Sequence, residues 1–186
     1  MIELIAACAA FVGTHFLLSH PLRAPIVARI GEGPFLGVYS LVAFLTFGWV
    51  IVAYRRAAAL APLWDGRGDA LWAVATLLTL IASVLFVGSL LGNPALPDGG
   101  NKPKAVPRPR GVLAITRHPM MWGFALWALA HMLVHPQPAQ LILAFTIGFL
   151  ALAGAALQDA KKRALQPDFW PRWQGVTSFQ IGRAHV

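Results

Sequence analysis

Apolar runs of membrane-spanning length constrain this chain more than any other feature. A helix needs about 20 mostly apolar residues to cross about 30 Å of hydrocarbon. Runs of that kind are predicted at residues 2–19, 34–54, 70–91, 116–135 and 138–160. Within a bilayer the backbone must satisfy its own hydrogen bonds, so such runs fold as helices. The fold class that follows is all-α: a polytopic integral membrane helix bundle with five transmembrane helices and lipid as its first partner. Composition agrees, with 58% hydrophobic and only 12% charged residues, where soluble domains carry about 25%.

The connections punctuate these runs. His20-Pro21 ends the first, because the residue before proline avoids the helical region. A short basic connection with Arg23 and Arg29 follows, and Arg55-Arg56 closes the second run. Trp64 in the next loop suits an interfacial anchor. The stretch GNPALPDGGNKPKAVPRPRG at residues 92–111 is too rich in proline and glycine for a long helix and reads as an exposed loop. The fourth helix is expected to start near Thr116 as N-cap, with Pro119 in its first turn.

The net charge of +8 does not point to nucleic acid. The cations fall between apolar runs instead of alternating with exposed aromatics in a stripe. With the N-terminus outside, the inner connections hold Arg23, Arg29, Lys102, Lys104, Arg108, Arg110, Arg117, Lys161, Lys162, Arg163 and Arg172, and the outer ones only Arg55, Arg56 and Arg67. This bias predicts a cytoplasmic loop at 92–110, in a bacterial inner membrane. The first run has no Lys or Arg ahead of it and no small-residue cleavage site, so it reads as a retained helix. The single cysteine, Cys8, excludes an internal disulfide and a thiolate metal cluster.

Ionisable groups inside apolar runs are costly and by default suggest function. The stretch ITRHPMMWGFALWALAHMLV carries His118 and His131, and the first run carries His15. No carboxylate is expected at mid-membrane depth, which argues against a hard-cation site. Two helix-borne imidazoles can hold a haem iron from opposite sides. Each histidine has a plainer role as well. His15, after Thr14, can hydrogen-bond between helices. His118, between Arg117 and Pro119, can cap the helix or meet lipid headgroups. His131 and His135 are four apart on one helical face, which permits a metal clamp. Along an ideal helix His131 lies about 20 Å beyond His118, and that depth favours pairing His15 with His118. The same spacing of 13 × 100°, about 220° modulo a turn, sends the two histidines to different faces.

THFLLSHPLRAPIVARIGEGPFLGVYSLVAF and ITRHPMMWGFALWALAHML resemble the two signatures of the NnrU family of bacterial membrane proteins. Both are similar to plant zeta-carotene isomerase, which shares the family's domain. The resemblance implies haem b, axial ligands at His15 and His131 with His118 as the fallback, and cis–trans isomerisation of a poly-cis carotene, a hydrophobic polyene. It also leaves room for a non-enzymatic haem or assembly protein linked to denitrification. The plant enzyme has a cysteine three residues before its second histidine; Ala128 stands here, which excludes a thiolate ligand at that place. A different likeness runs through RHPMMWG, which resembles membrane methyltransferases of the isoprenylcysteine and phospholipid type. Those carry a later Glu pair, where this chain has only Asp159 in LQDAKKRALQPDFWPRW.

The last residues, QIGRAHV, can be encoded by a common sequencing-library adapter read in frame. The expected division is therefore a transmembrane domain at 1–179, with a sixth helix in an untruncated gene, and a non-native tail at 180–186 that gives Arg183 and His185 no role.

The charge bias sets a test of topology. Cysteines placed at Asn101 and Gln137 should react differently with a membrane-impermeant reagent in intact cells, with only Gln137→Cys labelled. Labelling of Asn101→Cys alone would invert the orientation.

Overall fold

The computed structural model describes residues 1–96 and 105–182. Among them the chain is helical without strands: α1 Ile2–Ser19, α2 Arg23–Ile30, α3 Glu32–Arg56, α4 Asp69–Gly88, α5 Pro119–Val134, α6 Pro138–Leu165 and α7 Trp170–Gly175. A 3-10 turn, Gly111–Ala114, precedes α5. The central part of the predicted basic loop, and Arg183 and His185, lie outside the described residues.

Four helices, α1, α3, α4 and α6, are long and apolar enough to cross a membrane. The fifth predicted span is shorter. Its 16 residues rise about 24 Å, less than the hydrocarbon thickness of about 30 Å. Helical structure starts at Pro119, after an N-cap at His118 that makes no side-chain cap bond. Thr116 is therefore not the N-cap; its hydroxyl donates to the Phe179 carbonyl (2.8 Å) and receives the His118 N–H (3.2 Å).

The basic connection after α1 is partly helical. Proline is tolerated in a first helical turn, where its missing N–H has no partner to lose, and Pro25 sits there in α2. Gly31 separates α2 from α3 at φ +83°, a conformation that glycine adopts without the cost a side chain brings. Across this break Arg23 pairs with Glu32 at 2.7 Å.

The long helices alternate in direction. At one end α1 and α4 finish, α5 begins and α6 finishes; this is called the Arg117 end. Packing divides the bundle into two pairs, α1 with α3 and α4 with α5, and α6 touches both α1 and α5. At the end opposite Arg117 the first pair closes on α6 through Leu4, Ala7, Cys8, Val50 and Ala53, with the Tyr54 hydroxyl donating to Gln140 Oε1 at 2.9 Å. Trp64, the expected interfacial anchor, donates its indole N–H to the Leu133 carbonyl at 3.0 Å. Outward faces carry Leu41, Phe44, Leu45 and Leu77, as lipid contact requires.

The α4–α5 approach is set by a glycine. A Cβ at Gly123 would lie 2.9 Å from the Ala82 carbonyl oxygen and 3.3 Å from the Phe86 nitrogen, both backbone atoms. Small residues let membrane helices come this close. Gly123→Ala should therefore lower stability by about 1–3 kcal/mol. Gly48→Ala, where nothing lies within 4 Å, should be neutral or stabilising by up to about 1 kcal/mol. Unfolding midpoints in detergent compare the two; equal midpoints would mean that α4 and α5 are not held at this distance.

Candidate functional site

The sequence-derived histidines fall in three separate places. His118 is at the Arg117 end and only 2% exposed. Its Nε2 donates to Asp159 Oδ1 at 2.8 Å, which fixes the hydrogen on that nitrogen because a carboxylate only accepts. Arg117 engages the same carboxylate with Nε (2.9 Å to Oδ2) and Nη2, and the Trp170 indole N–H adds a bond of 3.1 Å. Arg117 also reaches the Thr177 carbonyl at 3.3 Å, donates its backbone N–H to the Ser178 carbonyl at 2.8 Å, and lies over the Phe179 ring.

One expectation is corrected here. His118 neither caps α5 with its side chain nor faces headgroups. A carboxylate is buried at this end of the bundle: Asp159 is 6% exposed. In the sequence Asp159 stands only as the lone acid before KKR, and its tertiary partners reveal its burial. The signal present in the sequence was the coincidence of an RHP turn and one acid at the two ends of adjoining helices.

His131 lies near the other end of α5. Its Nδ1–H donates to the Trp127 carbonyl at 2.9 Å, and its ring lies 3.9 Å from the Trp127 ring centroid. His135 is 6.3 Å away by ring centroids, edge-on to Trp72. No group of three or more His, Cys, Asp or Glu side chains suited to a metal ion occurs among the described residues.

His15 is different, because it lines a cleft. Between the α1–α3 pair and the α4–α5 pair, with α6 as its floor, is a cavity of about 720 Å³, within the usual range of about 300–1,000 Å³ for small-molecule sites. Its wall is aromatic: Phe11, Phe16, Phe47, Phe86, Phe124 and Trp127. The α5 wall stops at Trp127, one turn short of His131, and neither His131 nor His118 lines the cleft. The structure thus brings none of the three histidines together.

Within the cleft His15 is held firmly. Its Nδ1–H donates to the Phe11 carbonyl at 2.7 Å, and its ring meets Phe11 edge-on at 4.4 Å and Tyr39 at 5.5 Å. That bond leaves Nε2 with its lone pair, the nitrogen that a metal takes when the other ring nitrogen is occupied by a carbonyl. A single axial haem ligand fits this donor; the proposed pair of His15 with His131, or with His118, does not lie within one cleft wall. Sequence reasoning missed His20, whose Nε2–H reaches the Leu157 carbonyl at 3.1 Å, and Lys161, which lines the cleft at the Arg117 end.

The family described as NnrU protein matches residues 3–183, nearly the whole chain. No curated protein and no solved structure matches it.

Removing one partner of a buried ion pair costs about 3–5 kcal/mol, since the other charge stays buried. Asp159→Asn should lower stability by that order. Arg117→Met combined with Asp159→Leu should lose clearly less than the sum of the single changes. A double-mutant cycle on thermal midpoints measures this, and simple additivity would show that the two side chains do not act together.

Proposed function

The chain belongs to the NnrU family, and on that premise we propose that its apolar cleft holds haem b with His15 as axial ligand and receives a polyene from the bilayer for cis–trans isomerisation. The observation carrying this reading is the state of His15: one ring nitrogen tied to Phe11, the other open, in an aromatic cleft. Bound there, ferrous haem would supply an iron centre able to engage one double bond and lower the barrier to rotation about it, with no net redox change.

The protein's own part is positional. The Phe11 carbonyl fixes the ring plane and tautomer of His15 and raises its basicity as a ligand. Phe47, Phe86 and Phe124 offer apolar surface matched to a hydrocarbon chain and exclude water. The opening between the helix pairs gives a lipid-soluble molecule a way in from the bilayer. The charge bias orients the Arg117 end toward the cytoplasm of a bacterial inner membrane. The alternative haem reading, a non-enzymatic or assembly protein linked to denitrification, shares this site and differs only in having no polyene to convert. The methyltransferase reading has less support, because Arg117 and His118, which it needs facing a cofactor, are both spent on Asp159.

The test is haem per protein in detergent-purified variants. His15→Ala should lose the Soret band. His131→Ala should keep it, and a change from a low-spin to a high-spin spectrum in that variant would restore His131 as the second ligand. Reduced wild-type protein should then convert a poly-cis carotene, scored by chromatography; haem without conversion favours the non-enzymatic reading. A wild-type protein that takes up no haem would sink the proposal.

A further inference from the structure

Lys161 is the feature of the cleft that the role of His15 leaves unused. It lines the same cleft as Ser19, His20 and Gln158, one helical turn past Leu157, whose carbonyl His20 reaches, and is half-buried. It makes no ion pair or hydrogen bond among the described residues. The charges that bear on it are both positive, Arg23 and Lys162. Arg23 is paired with Glu32, and Lys162 donates to the Pro94 carbonyl at 3.1 Å and lies over Trp170.

The nearest acid in sequence does not serve Lys161. Asp159 is two residues earlier, about 200° around the helix, and its oxygens are taken by Arg117, His118 and Trp170. The amide of Gln158 donates to the Ala95 carbonyl at 3.2 Å and the His20 Nε2–H to Leu157. Among the described residues nothing balances the ammonium.

Partly burying a cation beside other cations is unfavourable unless an anion arrives to pair with it. A lysine that only snorkels to phospholipid headgroups would run outward along the helix surface; Lys161 lines the cleft. We infer that the Arg117 end of the cleft is an acid-binding subsite, where Lys161 pairs with a carboxylate or phosphate carried by an otherwise apolar molecule that extends toward His15. Ser19 and His20 lie four and five residues past His15, about 6–7.5 Å along the axis, so acid and imidazole nitrogen contact one ligand about a helical turn apart. The inference rests on reading the cleft as a binding site and not on which molecule fills it. A porphyrin propionate meets the requirement, and so does a lipid acid.

Acid and ester pairs separate these sources. The full chain, in nanodiscs of zwitterionic lipid, is titrated with cis-parinaric acid and its methyl ester by fluorescence, and with haem and its dimethyl ester by Soret absorbance. In at least one pair the acid should bind about tenfold tighter, the order expected of one charge-assisted contact. Lys161→Gln should abolish that preference and Lys161→Arg should keep it. A preference confined to the porphyrin pair identifies a propionate, and one confined to the fatty pair a lipid acid. Failure of haem to bind alongside a Lys161-dependent fatty-acid preference removes the haem proposal and leaves the subsite standing. Equal binding of acid and ester in both pairs, or a preference unchanged in Lys161→Gln, overturns the inference.

Discussion

Asp159 is the constraint on which the Arg117 end of the bundle depends. A carboxylate brought out of water needs its oxygens filled, and the supply here is local and complete: a two-pronged guanidinium, an imidazole N–H and an indole N–H. These donors come from the turn before α5 and from α7, so one acid on α6 fixes three segments at once. The Arg117 backbone then holds Ser178, and Thr116 and Trp122 both donate to the Phe179 carbonyl. Such a cluster adds little net stability over an apolar equivalent, but it strongly penalises any arrangement that leaves Arg117 or Asp159 alone. Its contribution is to specify one geometry.

That geometry has a consequence for the cleft. With residues 116–118 committed to the cluster, α5 begins only at Pro119, so its wall of Met121, Phe124 and Trp127 is held at a set distance from α6. Gly123 draws α4 onto the other side. The α1–α3 pair is attached to α6 at its two ends, through Tyr54 to Gln140 and His20 to Leu157. A pair anchored at both ends leaves the middle to side chains, and the aromatic cleft occupies that middle. Lipid-soluble ligands need such a site, since the bilayer delivers them sideways rather than through an aqueous mouth.

The helices were legible in the sequence to the extent that hydropathy governs them. The first span is found at Ile2–Ser19, as its apolar run and His20-Pro21 indicate, and α3, α4 and α6 differ from their runs by a few residues at the ends. What was not legible is set by tertiary contact. Residues 160–165 carry KKR, which reads as an interface, yet the α6 helix continues through them because Lys162 docks on Pro94 and Trp170. The α7 turn, Trp170–Gly175, is too short for any periodicity, and it exists because Trp170 and Trp173 are fully buried. The start of α5 falls later than local chemistry suggests for the same reason: Thr116 has the chemistry of an N-cap, but its hydroxyl donates to the Phe179 carbonyl instead.

The candidate site shows the same limit at the level of a single atom. His15 and His131 are indistinguishable by local pattern. Each sits late in an apolar helix, and each donates Nδ1–H to the carbonyl four residues back, at 2.7 and 2.9 Å. Both therefore keep Nε2 as the open nitrogen, and a resemblance or a spacing rule pairs them readily. Their surroundings differ. The Trp127 ring covers His131 at 3.9 Å, beyond the end of the cleft, whereas Phe11 and Tyr39 meet His15 edge-on and leave it on the cleft wall. A ring nitrogen becomes a ligand when there is room in front of it for what it would bind, and that room is a property of five helices and not of the segment carrying the histidine. His15 has it in this arrangement of helices, and His131 does not.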